Sequence, residues 1–123
     1  MSLNTTGVQP PFNAEEMLER LGGDMELLQD LVNLYDVDGR QMLSDLQAAL
    51  DGGDAQGVER SAHRIRGSVA SFSAGHAAAA AWAVEEFGRD GKLEEARAAF
   101  GVLDEALAAL NLALHHYLEH PAP

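Results

Sequence analysis

One short segment concentrates the residues best suited to chemistry. Residues 62–71, AHRIRGSVAS, contain His63, and Arg60, Arg64 and Arg66 surround it. These arginines are three of only eight Lys and Arg residues in a chain of net charge −12. Neutral imidazole is a nucleophile, and nearby cations stabilise an anion attached to it. The pattern therefore indicates a nucleophilic histidine that handles an anionic group.

Helical geometry predicts that this histidine is exposed. The apolar spacing over residues 54–72 is typical of a helix with about 100° between successive residues. Its predicted core face comprises Val58, Ala62, Ile65, Val69 and Phe72. His63 lies roughly 140° from the centre of that face. The imidazole is therefore predicted to face solvent.

The small residues after the histidine suggest clearance for a partner. Gly67 follows His63 by one helical turn, on the same predicted face. Glycine inside a helix costs about 1 kcal/mol relative to alanine, so its presence there calls for a reason. A missing side chain leaves space over the imidazole, and Ala70 extends this bare strip. We predict that both residues contribute to partner binding.

The composition and the helix signals predict an all-α protein. Leu and Ala dominate, whereas Val, Ile and Thr are scarce. Helix-capping residues and Gly-containing turns divide the chain into a short helix over 13–21 and four longer helices over 24–51, 54–72, 76–88 and 93–119. Short connections make consecutive helices antiparallel neighbours. The predicted fold is an antiparallel up-down four-helix bundle with a short extra N-terminal helix.

Length and charge narrow the functional classes. The 123 residues fit one domain, predicted over 12–120, with a flexible segment 1–11 and a tail 121–123.

The negative charge argues against nucleic acid and anionic membranes as partners, and no apolar run approaches the roughly 20 residues that span a bilayer. There is no cysteine, hence no disulfide or thiolate site. We expect a cytoplasmic monomer.

The histidine segment resembles the signature of histidine-containing phosphotransfer (HPt) domains, A-H-x-L-K-G-S. His63 matches the phosphorylated histidine, Arg66 stands where lysine is usual, and Gly67 and Ser68 match directly. The resemblance extends over roughly residues 12–119. It includes the stretches FNAEEMLERLGGDMELLQDLVNLY, MLSDLQAALDGGDAQGVERSAH and VEEFGRDGKLEEA.

Two departures from the family pattern lie close to the end of the histidine helix. Ser71 stands where asparagine is frequent, and Ser73 stands where glycine often precedes Ala74. These departures concern local packing at the start of the following helix. They leave the residues of the phosphoryl site unaffected.

The resemblance implies a phosphocarrier in a two-component relay. His63 would accept a phosphoryl group through Nε2 from an aspartyl phosphate of a receiver domain and pass it to another receiver aspartate. Arg66 would contact the phosphoryl oxygens, and Ser68 would have a secondary role. The implied partners are response-regulator receiver domains, with a hybrid histidine kinase as a further candidate.

The same resemblance implies no cofactor or metal site of the chain's own, since the receiver supplies Mg²⁺. Arg60 and Arg64 are predicted to steer or contact the acidic site of the receiver. No Gly-rich nucleotide loop is evident, so intrinsic kinase activity is not expected.

Two alternatives remain open at the level of the sequence. The first is a helical docking module that binds a signalling partner through the same face without being phosphorylated. The second is a metal site near the C-terminus, where His116 and His120 are four residues apart, His115 is adjacent and Glu119 is available. Trp82 is predicted to be core or half-buried, and most of the carboxylates are interpreted as solubilising surface charges.

Overall fold

The computed structural model describes residues 10–120, which form five α-helices and no strand. The helices are α1 (Ala14–Arg20), α2 (Met25–Asp51), α3 (Ala55–Ala70), α4 (Gly75–Arg89) and α5 (Leu93–Glu119). Every predicted helix is present, and its bounds differ by at most two residues from the prediction. The predicted tail 121–123 and most of the predicted flexible segment 1–11 lie outside the described residues.

The first three helices begin at the capping residues that the sequence indicated. The side chains of Asn13, Asp24 and Asp54 each accept a hydrogen bond from the backbone N–H of the third residue of the helix that follows, at 3.0, 3.0 and 2.9 Å. Each bond satisfies one of the backbone donors left free in a first helical turn. Local sequence therefore sets where these helices start.

Four helices surround one apolar core. α3 packs against α2 and α4, and α5 packs against α4 and α2. The five residues predicted for the core face of α3 are all at most 2 % exposed. The largest fully buried side chains are Met17, Leu28, Leu46, Leu50, Ile65, Leu103, Leu110 and Leu114. Burying a side chain of this size contributes about 1.5–3 kcal/mol, so this core is the main source of stability.

Two apolar residues of α2 are exposed although their helical spacing matches that of its buried residues. Leu27 and Leu34 are 40 % and 57 % exposed. Trp82, predicted as core or half-buried, is 52 % exposed and thus half-buried. The buried side of α4 consists mainly of alanines and one valine. Because small residues let helices approach closely, the large indole ring lies outside that contact.

α1 closes the end of the bundle at which α3 terminates. Met17 is fully buried in the core. The Asn13 N–H donates to the Ser73 carbonyl at 3.0 Å, and Arg20 Nη1 donates to the Ala70 carbonyl at 2.9 Å. These bonds hold the C-terminal end of α3 and the turn into α4. The short helix therefore stabilises the end of the helix that carries His63.

The turn between α3 and α4 contains a strained serine. Ser73 has φ of 54°, in the left-handed region, and its buried hydroxyl has no hydrogen-bond partner among the described residues. A side chain in this region costs about 1–2 kcal/mol, which glycine avoids. We expect Ser73→Gly to raise the free energy of unfolding by about 1 kcal/mol in urea denaturation. A fall in stability would mean that the hydroxyl contributes a favourable interaction.

α5 is the one helix among residues 10–120 whose length and composition would suffice to cross a membrane. A core helix of a bundle meets the same two criteria. Leu103, Leu107, Leu110 and Leu114 of α5 are at most 6 % exposed and pack in the core. Packing accounts for these four leucines, whereas Val102 and Leu112 on the same helix are 54 % and 77 % exposed.

Candidate functional site

His63 lies on the outer side of α3. Its neighbours Ala62 and Ile65 are buried, whereas the His63 side chain is 64 % exposed. The predicted orientation of the imidazole is thus confirmed. A ring in this position is open to a macromolecular partner, and it needs no cleft to be reached.

A buried glutamate from α4 holds one nitrogen of this ring. Glu85 Oε2 lies 3.0 Å from His63 Nδ1, although the glutamate is only 3 % exposed. Glu85 is the one charged or polar residue among 10–120 that is buried to this degree. Glu85 is therefore an exception among the mostly solubilising carboxylates. It brings an acid to His63 from another helix, although residues 60–84 of the sequence contain no Asp or Glu.

Arginines compensate the charge of this buried carboxylate. Arg66 Nε donates to Glu85 Oε1 at 2.8 Å, and Arg66 Nη2 lies 3.4 Å from Oε2. Burial raises the pKa of the Glu85 carboxyl, but the hydrogen bonds from Arg66 and His63 outweigh it, so the pKa lies below its usual value. Glu85 is therefore a carboxylate at neutral pH, and it acts as a hydrogen-bond acceptor.

Two groups compete for His63 Nδ1. Arg66 Nη2 is 3.1 Å from this nitrogen, almost as close as Glu85 Oε2. A protonated Nδ1 donates to the carboxylate, whereas an unprotonated Nδ1 accepts from the guanidinium. The carboxylate favours the first arrangement, because an unprotonated Nδ1 would place its lone pair against those of Oε2. In the neutral form of such a ring Nε2 is unprotonated, and its lone pair is free for a nucleophilic attack.

The other predicted residues lie around this centre. Arg60 and Arg64 are exposed, and Arg64 Nη1 lies 3.5 Å from Asp45 of α2. Gly67 is exposed, and a Cβ added there would meet nothing within 4 Å. Ala70 is exposed as well, with its carbonyl bonded to α1 as described above. The bare strip predicted beside His63 is present in the structure.

Ser68 contacts the neighbouring helix rather than its own. Its hydroxyl points to Met42 Sδ of α2 at 3.6 Å. Together with Asp38, Ser68 and Met42 line a shallow depression that His63 and Gly67 border. The helix wheel missed this arrangement because it ignores the neighbouring helix.

The C-terminal histidines form no recognisable metal centre. Residues 10–120 contain no group of three or more His, Asp or Glu side chains that could hold a metal ion. The rings of His116 and His120 lie 4.9 Å apart, but His115 Nε2 pairs with Asp36 of α2 at 2.9 Å. The described part of the chain thus gives no support to the metal alternative.

Comparison with known families decides the identity of the domain. The sequence model of the Hpt domain matches residues 30–113, which is more than half of the chain. The chain belongs to the Hpt domain family. Hpt domains are helical bundles that transfer phosphoryl groups through a histidine in phosphorelays, together with receiver domains and histidine kinases. No curated protein and no solved structure matches the chain significantly.

Sequence reasoning missed Glu85 as a residue of this candidate site. It is 22 positions from His63, so spacing along the chain gave no indication that the two side chains meet. A weak signal existed: Glu85 follows Val84 at the edge of the buried face of α4. A charged residue at that edge must find partners on the adjacent helix.

The charge of Glu85 predicts a pH dependence of stability. The pKa of Glu85 is lower in the folded chain than the ordinary 4.5. Its ionised form therefore contributes to the free energy of unfolding above pH about 4.5, and this contribution is lost as the pH falls through the pKa of the folded state. At pH 7 we expect Glu85→Gln to lower the free energy of unfolding by about 1–3 kcal/mol. The difference from the wild type should shrink below pH 4.5 in urea denaturation. A difference that does not vary with pH would contradict an ionised Glu85.

Proposed function

We propose that this chain is a phosphocarrier in a two-component phosphorelay, with His63 as the phosphoacceptor. The observation that supports this most is the exposed imidazole whose Nδ1 is held by the buried Glu85 carboxylate. Such a ring offers Nε2 to a partner in a defined orientation. Membership of the Hpt family supplies the class of reaction.

In the proposed reaction the Nε2 lone pair attacks the phosphorus of an aspartyl phosphate on a receiver domain. The N–P bond forms, the bond between phosphorus and the acyl oxygen breaks, and the receiver aspartate leaves as a carboxylate. The proton on His63 Nδ1 stays in place, hydrogen-bonded to Glu85. The negative charge of Glu85 stabilises the positive charge that develops on the ring. Attack by a second receiver aspartate reverses these steps.

Arg66 is proposed to stabilise the phosphoryl oxygens in addition to its contact with Glu85. Its guanidinium has donors that Glu85 does not use, and it lies one helical turn from His63. Arg60 and Arg64 would attract the acidic site of the receiver. Gly67 and Ala70 would let the receiver backbone approach the ring. Ser68 would have a secondary role at the edge of the depression.

The receiver is proposed to bring the Mg²⁺ that this transfer requires. The Mg²⁺ would neutralise charge on the transferred group, as divalent ions do in phosphoryl transfer generally. This chain would then contribute no metal ligand and no cofactor. Intrinsic kinase activity is not part of the proposal.

The proposal extends to the helix arrangement, the oligomeric state, the localisation and the partners of the chain. We propose that α2 to α5 form an antiparallel up-down bundle and that the chain acts as a cytoplasmic monomer. Its partners would be receiver domains, with a hybrid histidine kinase as a further candidate. The net charge of −12 disfavours nucleic acid and anionic membranes.

The test is transfer from purified receiver domains carrying labelled aspartyl phosphate. We expect label to appear on the chain within minutes and to return to an unlabelled receiver added later. The bond should be labile in acid and stable in base, as phosphohistidine is. Absence of label with every receiver of the source organism, combined with measurable binding to one of them, would instead favour the docking module.

A bulky residue at Gly67 is expected to block this transfer. The position is open, so Gly67→Phe should leave the helix intact while its ring occupies the approach to His63. We expect the transfer rate to fall at least about tenfold with unchanged circular dichroism. Gly101→Phe is the matched control, since a Cβ at Gly101 of α5 likewise meets nothing within 4 Å. Normal transfer in the Gly67 variant would refute the role of clearance.

A further inference from the structure

A second arginine contacts the glutamate that orients His63. Arg89, on α4 one turn after Glu85, places Nη2 3.4 Å from Glu85 Oε2. Its Nε donates to Glu59 of α3 at 2.9 Å, and its Nη1 pairs with Glu86. Arg89 therefore connects α4 to α3 beside the histidine, and it touches the oxygen atom that faces Nδ1.

The position of that oxygen depends on a balance between two guanidinium groups. Arg66 takes Oε1 through a short bond of 2.8 Å and approaches Oε2 only to 3.4 Å. Arginine and carboxylate prefer a bidentate pair with two short parallel bonds. Rotation of the Glu85 carboxylate toward Arg66 would complete that pair, and it would move Oε2 away from His63. Arg89, which lies on α4 whereas Arg66 lies on α3, also attracts Oε2, and we infer that it opposes this rotation.

The consequence concerns the proton on His63. If Oε2 moves away, the closest group to Nδ1 is the Arg66 Nη2 donor, which lies 3.1 Å from Nδ1 in the structure. A donor at that place favours an unprotonated Nδ1, and in a neutral imidazole the proton then sits on Nε2. Such a ring has no free lone pair at Nε2 and cannot attack phosphorus there. The tautomer therefore depends on which partner reaches Nδ1.

We propose that Arg89 is a positioning residue that keeps Glu85 Oε2 on His63 Nδ1 and thereby keeps Nε2 of the ring unprotonated. Its effect on transfer rests on the proposed phosphocarrier function, whereas its effect on the ring does not. Glu59 has a supporting role, because it fixes the Arg89 side chain on α3. Arg89 itself has no contact with the reacting atoms.

The experiment combines ring-nitrogen spectroscopy with the transfer assay. Long-range ¹H–¹⁵N spectra distinguish the two neutral tautomers, and comparison with His63→Gln assigns the signals of His63 among the five histidines. The variants are Arg89→Gln, which removes the charge, and Arg89→Lys, which retains it. Arg97→Gln is the matched control, because Arg97 of α5 donates to the Leu50 carbonyl at 2.9 Å, outside the site.

We expect the wild type and Arg97→Gln to show predominantly the tautomer protonated at Nδ1. Arg89→Gln should shift the signals toward the tautomer protonated at Nε2 and slow transfer about fivefold. Arg89→Lys should restore part of the wild-type spectrum and part of the wild-type transfer rate. Unchanged ring spectra in Arg89→Gln would overturn the inference, whatever the transfer rate. Because the spectra need no receiver, a wild type that takes up no label would contradict the proposed function alone.

Discussion

Replacing His63 by glutamine is expected to abolish phosphorylation of the chain. Glutamine has no nitrogen lone pair that can attack phosphorus, because the nitrogen of an amide is delocalised into its carbonyl. We expect label transfer from a phosphorylated receiver to fall by at least about 100-fold, to background. The measurement is the radiolabel or mass shift on the chain after incubation with the receiver.

The same substitution should leave the fold unchanged. The imidazole is 64 % exposed, so little packing is lost, and the glutamine amide can still donate to Glu85. His76→Gln is the matched control, since His76 is an exposed histidine on α4. We expect it to take up label at the wild-type rate. Label remaining on His63→Gln would show that another side chain accepts the phosphoryl group.

Gly88→Ala is expected to destabilise the domain through the contact between α3 and α4. A Cβ at Gly88 would lie 2.8 Å from Val58 Cγ1 and 2.9 Å from the backbone nitrogen of Glu59. The backbone of α3 cannot yield without moving the helix, so overpacking should cost about 1–3 kcal/mol in the free energy of unfolding. We expect transfer to slow as well, because Glu85 lies one turn from Gly88 on the helix that must shift.

Gly101→Ala is the control, and we expect it to stabilise the domain rather than destabilise it. A Cβ at Gly101 meets nothing within 4 Å, so alanine adds no clash there. It should raise stability by up to about 1 kcal/mol through helix propensity alone. Urea denaturation of both variants separates the two effects. Equal stability of Gly88→Ala and the wild type would mean that the two helices can separate at little cost.

The helices and the exposure of His63 were predictable because they depend on local sequence. The capping side chains of Asn13, Asp24 and Asp54 act on residues three positions away, and the core face of α3 follows from its own periodicity. The orientation of His63 followed from the same periodicity. The motif around it carries the resemblance to the Hpt family and involves no contact between helices.

Local patterns gave wrong results where the neighbouring helix decides. Where the apolar residues of a helix cover a wider face than its neighbours bury, the outermost of them remain in solvent. Leu34 of α2 is an example. Trp82 is half-buried, as predicted, beside a buried side of α4 that consists mainly of alanines. The hydroxyl of Ser68 turns to Met42 on α2, a partner that the wheel of α3 does not contain.

The sequence by itself determined five helices, the exposed His63 and the cations near it, because these follow from short-range periodicity and composition. Only the tertiary structure decided the electrostatics of the site. Packing of α4 on α3 brings Glu85 and Arg89 to His63 and Arg66 across 19 to 26 positions of the chain, and it buries the carboxylate where its hydrogen bonds are strongest. The site that appeared purely cationic in the sequence is therefore a network of both charges in space, in which the Glu85 carboxylate faces Nδ1 of His63.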